Sequence, residues 1–132
     1  MGTNFDFSTE TSNRMDPTQD PGSVYYLHPS DSASTRLVSI VFDGMCYSDW
    51  KWSMTISLDA KNKLCFVDGS LAKPSTNDKA WNRCNIMVIG WLIASLERSI
   101  AKSIMYFKTA AEIWADLEGR FGNPSSSQLY RL

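Results

Sequence analysis

Helical periodicity is the strongest pattern in this sequence, and it is clearest in residues 109–121. Thr109 and Glu112 are spaced as in a capping box, where the threonine hydroxyl accepts from the glutamate amide and the glutamate carboxylate accepts from the threonine amide. The apolar residues that follow share one helical face; they are Ala110, Ile113, Trp114, Leu117 and Phe121. The pattern predicts a helix that buries Trp114 and ends at Gly122 in the left-handed conformation.

Similar periodicity predicts three more helices, over residues 48–61, 78–96 and 99–106. Ser48 is the expected N-cap of the first helix, and Phe107 continues the apolar stripe of the third. The second helix has two apolar stripes, and this composition predicts a central helix with neighbours on both faces. One stripe contains Trp81, Cys84, Val88, Trp91 and Leu92, and the other contains Ile86, Ile89 and Ile93.

The pattern before residue 46 is less regular. Residues 1–23 are polar, contain Pro17 and Pro21, and show no apolar period, so we expect a disordered leader. Residues 37–42 are rich in β-branched side chains and predict at most one short extended segment. Residues 125–132 are expected to begin a further helix. The chain of 132 residues is therefore predicted to hold one mainly α domain, over residues 24–132.

Charge is balanced over the chain and uneven along it. Thirteen Lys and Arg stand against 14 Asp and Glu, a net charge of −1, which excludes a strongly basic nucleic-acid binder. Residues 1–35 carry five acidic residues against Arg14, so residues 36–132 are mildly basic. We therefore expect weak, salt-sensitive RNA binding at most.

Residues capable of catalysis or metal binding are few and scattered. His28 is the only histidine and lies far in sequence from any cysteine, so no catalytic pairing is predicted. Cys46, Cys65 and Cys84 are too widely spaced for a zinc site, and small buried apolar groups are the better interpretation. We expect no catalytic residue, no metal, no cofactor and no small-molecule substrate.

The sequence also bears on membranes and compartment. The longest uncharged apolar run, residues 86–96, is shorter than the roughly 18 residues that a transmembrane helix needs. The first fifteen residues have no apolar stretch like that of a signal peptide. The odd number of cysteines favours free thiols. We therefore expect a protein of the reducing cytoplasm, without a membrane partner.

The aromatic residues allow two interpretations. Tryptophans could stack on bases of single-stranded nucleic acid, but Trp50, Trp81, Trp91 and Trp114 lie on apolar helical stripes and are predicted to be core residues. Trp52 lies off these stripes and is the candidate for an exposed contact residue. The basic pair in Lys61-Asn62-Lys63 fits a solvated helix end as well as a phosphate contact.

Several motifs in register resemble the N-terminal part of the Gag polyprotein of plant copia-type LTR retrotransposons. They extend over residues 24–132. The residues that carry the resemblance are Tyr25, Tyr26, Leu27, His28, Pro29, Tyr47, Trp50, Met54, Lys61, Asn62, Lys63, Trp81, Trp91, Trp114 and Phe121. The resemblance implies a small helical Gag/capsid-like domain with a structural, non-enzymatic role. It further implies self-association into a capsid-like particle, and contact with element RNA through a downstream Cys/His knuckle that lies outside this sequence.

The sequence departs from the family pattern in three places. Trp52 replaces a polar or basic residue, Glu97-Arg98 replaces Ser-Pro, and Gln128 replaces an arginine. The chain is expected to be a Gag fragment truncated at its C-terminal end. An alternative is a domesticated or remnant fragment that acts as a protein–protein interaction module. An enzyme is disfavoured, since no catalytic groups are predicted to converge.

Overall fold

The computed structural model describes residues 15–122. It contains four α-helices, α1 (Tyr47–Ala60), α2 (Lys79–Ala94), α3 (Arg98–Ile104) and α4 (Ala110–Phe121), with short 3-10 turns at Pro17–Gln19 and Leu64–Phe66. The prediction of a mainly α domain is confirmed. Residues 1–14 of the predicted leader and the helix predicted over residues 125–132 lie outside the described residues.

The central helix α2 starts at an effective cap and buries one full face. The Asp78 side chain accepts from the Trp81 amide at 2.9 Å, and Cys84, Val88 and Leu92 are fully buried. The prediction that both apolar stripes are covered is wrong for Ile86, which is 61% exposed. Ile86 lies beside Leu27 and Ala33 of the polypeptide that precedes α1, across an open cavity, and is therefore not covered by it.

The helix α4 carries the predicted capping box. The Glu112 amide donates to the Thr109 hydroxyl at 3.1 Å, and the Thr109 amide donates to the Glu112 carboxylate at 3.0 Å. Two predicted details are wrong. Gly122 is right-handed, with φ −86°, because its amide continues the helical pattern by donating to the carbonyl of Glu118. Trp114 is half-buried, although it does pack against the core.

The helix α1 begins without a side-chain cap. The predicted cap at Ser48 is wrong, because the helix already starts at Tyr47, after Cys46 in a left-handed conformation with φ +56°. Tyr47 is buried, and its ring lies 5.5 Å from Phe42 and 5.7 Å from Trp50 between centroids. The contacts that the Tyr47 ring makes with these two rings outweigh the missing cap.

Two connections differ from the sequence-based expectation. The extended segment predicted over residues 37–42 is reduced to one parallel bridge between Phe42 and Leu96, and the residues before it form bends. The helix α3 ends at Ile104, so Phe107, which was assigned to the apolar stripe of this helix, lies in the following turn and is exposed. The chain has to turn there to reach the cap of α4.

The predicted boundary of the leader at residue 23 is also wrong. Asp16 accepts from the Thr18 amide at 2.9 Å and opens a 3-10 turn, and the Leu27 amide donates to the Thr18 carbonyl at 2.8 Å. Thr18 is buried although its neighbours in sequence are polar. Residues 16–33, which we call the strap, therefore belong to the folded unit.

Among residues 15–122, no helix is both long and apolar enough to cross a membrane.

Candidate interaction surface

The motif residues of the strap meet the Lys61–Lys63 turn at the end of α1. The Lys63 side chain is almost completely buried, and its ammonium group donates to the carbonyls of Tyr26, at 2.6 Å, and Lys61, at 3.3 Å. Burial lowers the pKa of Lys63. Asn62, between the two lysines, turns the chain in a left-handed conformation with φ +58°. Lys63 is thus a structural clamp on the strap.

Lys61 holds the next part of the strap. Its ammonium group lies 2.5 Å from the Asp31 carboxylate and 5.5 Å from the centroid of the Trp91 ring, in cation–π geometry. The Asp31 carboxylate also accepts from the His28 amide at 2.9 Å. The sequence left open a solvated helix end or a phosphate contact for these lysines. The structure shows a further role, because both lysines bind groups of the strap that lie 30 or more residues away.

The strap also lies along α2. The Cys84 thiol donates to the carbonyl of Tyr25 at 3.1 Å, and the Trp91 indole donates to that of Ser32 at 2.9 Å. Near the start of the strap, Arg83 donates to the Thr18 hydroxyl at 3.2 Å. Burial raises the pKa of the Cys84 thiol to about 11. The body of the domain therefore recognises the strap largely through its backbone carbonyls.

The remaining strap motif residues organise the strap itself. The ring of Tyr25 packs edge-on against Phe66, and Leu27 is buried. The Nδ1 atom of His28 lies 2.7 Å from the Ser30 hydroxyl and accepts from the Ser30 amide, in the turn that Pro29 begins. His28 thus makes the local bonds of a loop histidine.

The other motif residues form an aromatic core between α1, α2 and α4. Trp50, Trp91 and Met54 are fully buried, and Trp81 nearly so. The Trp50 indole donates to the Ser95 hydroxyl at 3.0 Å. Phe42, Tyr47, Trp114 and Phe121 complete the cluster around Trp50. The tryptophans on the apolar stripes are thus packed against protein, as predicted, and Trp114 is the least covered of them.

A polar group joins α1 to α4 at the edge of this core. The Glu118 carboxylate accepts from Lys51 at 2.5 Å and from the Tyr47 hydroxyl at 3.0 Å. The bond from Lys51 lowers the pKa of Glu118, and burial, followed by the bond to Glu118, raises the pKa of Tyr47. Glu118 thus binds both residues of α1 and stabilises the helix pair.

Trp52 is exposed, as the sequence predicts. It lies on the side of α1 opposite the buried face and is 67% exposed, and Ile56, one turn further on, is 51% exposed. Large apolar side chains that adjoin on one helical face are typical of a contact surface. The role of Trp52 in binding remains a prediction.

A second exposed apolar group was missed by the sequence analysis. Met105 and Tyr106 follow the end of α3, and Tyr106 is 86% exposed. A cavity of about 160 Å³ opens beside Tyr106 and is lined by Ser103, Tyr106 and Phe107. The sequence does mark this region in one way: residues 98–108 contain three basic residues and no acidic one, which is typical of an exposed segment.

Reactive groups do not converge in the part of the chain that is described. Within residues 15–122, no three His, Cys, Asp or Glu side chains are grouped as metal ligands. The three cysteines are free, and the prediction that all are buried is wrong, because Cys46 is exposed and Cys65 half-buried. Cys46 occupies the uncapped start of α1, where its side chain faces solvent.

Comparison with known proteins gives a family match over part of the chain. Residues 28–75 match the family model of the Gag polypeptide of LTR copia-type elements. No curated protein and no solved structure matches the chain. The match confirms the resemblance over this segment, which holds the end of the strap, α1 with Trp52 and the Lys61–Lys63 turn. It supports a structural, non-catalytic role.

Proposed function

We propose that this chain, whose residues 28–75 carry the copia-type Gag signature, is a structural module that associates weakly with copies of itself in a capsid-like particle. A shell repeats one contact many times, so each contact can be weak and still hold the particle together. The observation that supports the proposal is the exposed pair Trp52 and Ile56 on the outer face of α1. An aromatic residue at the centre of an interface often provides much of the binding energy.

The other proposed partners follow from the same family. Contact with element RNA is assigned to a downstream region of the polyprotein, and this chain itself is expected to bind RNA weakly. The free thiols support the predicted reducing compartment. A contact with a different host protein through the same face of α1 is the alternative, and it would appear as a chain that is monomeric in isolation.

Sedimentation equilibrium of the full chain over a wide concentration range tests the proposal. We expect a monomer–oligomer equilibrium that Trp52→Ala weakens by about tenfold or more, the effect of losing a residue worth at least about 1.4 kcal/mol. Helix content measured by circular dichroism should not change. Ile86→Ala, a comparably exposed apolar residue on α2, is the matched control and should leave association unchanged.

Three results would contradict the proposal. A wild-type chain that stays monomeric at high concentration has no homotypic contact, and the alternative then replaces it. A Trp52→Ala variant that unfolds would show that Trp52 stabilises the domain itself. If Ile86→Ala weakens association as much as Trp52→Ala does, the contact surface is not confined to the outer face of α1.

A further inference from the structure

The outer face of α1 combines exposed apolar side chains with acidic ones. Its members, which we call the acidic face, are Asp49, Trp52, Ile56 and Asp59. They follow one another at helical spacings of three or four residues and are all exposed. The single base in α1, Lys51, is bound to Glu118 of α4. The acidic face therefore has an apolar centre with a carboxylate near each end.

A second face has the same design with the opposite charge. Its members, which we call the basic face, are Arg98, Lys102, Met105, Tyr106 and Lys108. All are exposed. The nearest acid in sequence, Glu97, is occupied as the cap of α3, since its carboxylate accepts from the Ser99 amide and hydroxyl. The cavity beside Tyr106 provides room for an incoming apolar side chain.

The two faces lie on opposite sides of α4. Glu118 of α4 binds Lys51 of α1, whereas Arg120 of α4 donates to the Ser103 hydroxyl of α3 at 2.8 Å. Two residues apart on an α-helix, Glu118 and Arg120 point in directions about 200° apart. The side chains of α4 thus separate the helices that carry the two faces. One copy of the chain can use both faces at the same time.

We propose that the acidic face of one copy docks on the basic face of the next, so that copies join head to tail. This inference rests on the proposed function and specifies which surfaces meet. Aromatic and aliphatic side chains supply the apolar contact, and the opposite charges around them favour this pairing over like faces. Because the two faces differ, the contact is heterologous, and each copy retains a free face after one contact has formed.

Single-stranded RNA is the competing ligand for the basic face, since Tyr106 could stack on a base beside Lys102 and Lys108. The second copy is favoured for two reasons. The complementary acidic face is present on the same chain, and the basic face has only three cations, which offer few counterions to release on binding a phosphate backbone.

Charge reversal on each face tests the inference in the full chain. One variant combines Asp49→Lys with Asp59→Lys, and the other combines Lys102→Glu with Lys108→Glu. Each alone is expected to weaken self-association by about tenfold or more, since like charges would then meet. An equal mixture of the two should associate within about threefold of wild type, because the mixture restores opposite charges.

The matched control reverses charges away from both faces. Lys73→Glu with Lys79→Glu makes the same change in net charge as the basic-face variant, at two exposed positions, and should leave association unchanged. Circular dichroism checks that all variants keep their helix content. Binding of a fluorescein-labelled oligouridine is measured in parallel.

Each outcome separates this inference from the proposed function. A wild-type chain that stays monomeric defeats the proposed function itself. A wild-type chain that associates, with both charge-reversed variants associating equally well, leaves the proposed function standing and overturns the head-to-tail docking. Loss of oligouridine binding in the basic-face variant, with self-association intact, assigns that face to RNA and also overturns the docking.

Discussion

Lys63 illustrates how far single residues depend on distant parts of the chain. Its sequence context is that of a solvated helix end, yet its ammonium group is buried and donates to the Tyr26 carbonyl, 37 residues away. A buried lysine is tolerated when its donors are satisfied, because an unpaired charge would cost several kcal/mol, on the order of the stability of a domain. Local sequence gives no signal for such a partner.

Gly90 is a point at which the strap approaches α2 closely. A β-carbon at this position would lie 2.5 Å from both the β-carbon and the carbonyl oxygen of Ala33. We expect Gly90→Ala to lower the free energy of unfolding by up to about 2 kcal/mol, because overpacking costs about 1–3 kcal/mol and the gain in helix propensity is about 1 kcal/mol. Urea denaturation followed by circular dichroism measures this change.

Gly119 provides the matched control within α4. A β-carbon there would meet no atom within 4 Å, so Gly119→Ala should raise the free energy of unfolding by up to about 1 kcal/mol through helix propensity alone. Equal effects of the two substitutions, of either sign, would show that Ala33 yields easily and that the strap is not packed tightly on α2.

At the scale of elements, the predictable helices are those whose signals are local. The cap, the apolar stripe and the approximate length of α4 are all encoded within residues 109–121, and the structure follows them. The start of α1 and the end of α3 were misplaced because tertiary contacts determine them. Tyr47 enters α1 to pack on Phe42 and Trp50, and the chain leaves α3 early to reach the next cap.

The first part of the strap, residues 16–23, was missed for the same reason. These residues are polar and have no period, and they are held through Thr18, whose carbonyl accepts from the Leu27 amide and whose hydroxyl accepts from Arg83. Backbone carbonyls are present in every residue, so composition cannot reveal this kind of recognition. Exposure of Trp52 could be predicted because the opposite face of α1 was already assigned to the core.

Asn85 links two elements through one buried amide. Its side-chain oxygen accepts from the Ala110 amide, and its side-chain nitrogen donates to the Lys108 carbonyl, both at 2.9 Å. We expect Asn85→Leu to lower the free energy of unfolding by about 2–4 kcal/mol, since two backbone groups would lose their buried partner. Urea denaturation measures the loss.

The control for Asn85 is Asn82, one turn earlier on α2. Its side-chain nitrogen donates to the side-chain oxygen of Asn77 at the exposed start of the helix. Asn82→Leu should therefore change the free energy of unfolding by about 0.5 kcal/mol or less. Comparable losses for the two variants would show that the junction between α2 and α4 does not depend on Asn85.

At the scale of the whole molecule, the segment that matches the Gag family is not a separate folding unit. Within residues 28–75, Ser32 accepts from Trp91, and Phe42 pairs with Ser95 and Glu97 through its backbone. The partners in both cases lie beyond the matched segment, in α2 or directly after it. The described domain therefore needs α2 to complete the core into which the family-matched residues pack.

Head-to-tail docking has a consequence for the whole assembly that a symmetric contact would not have. In a symmetric dimer both copies use the same patch, and association stops at two. With the acidic and basic faces on opposite sides of α4, a pair of copies still has one free face of each kind. We therefore expect the average mass from light scattering to keep rising with concentration beyond twice the monomer mass of 14.9 kDa.

The charge-reversed variant of the basic face should bind the end of a wild-type oligomer and prevent the addition of further copies there, because it retains an acidic face and has no competent basic face. A mass that levels off at two copies, in the wild type and in that mixture alike, would assign the contact to a single self-complementary patch centred on Trp52.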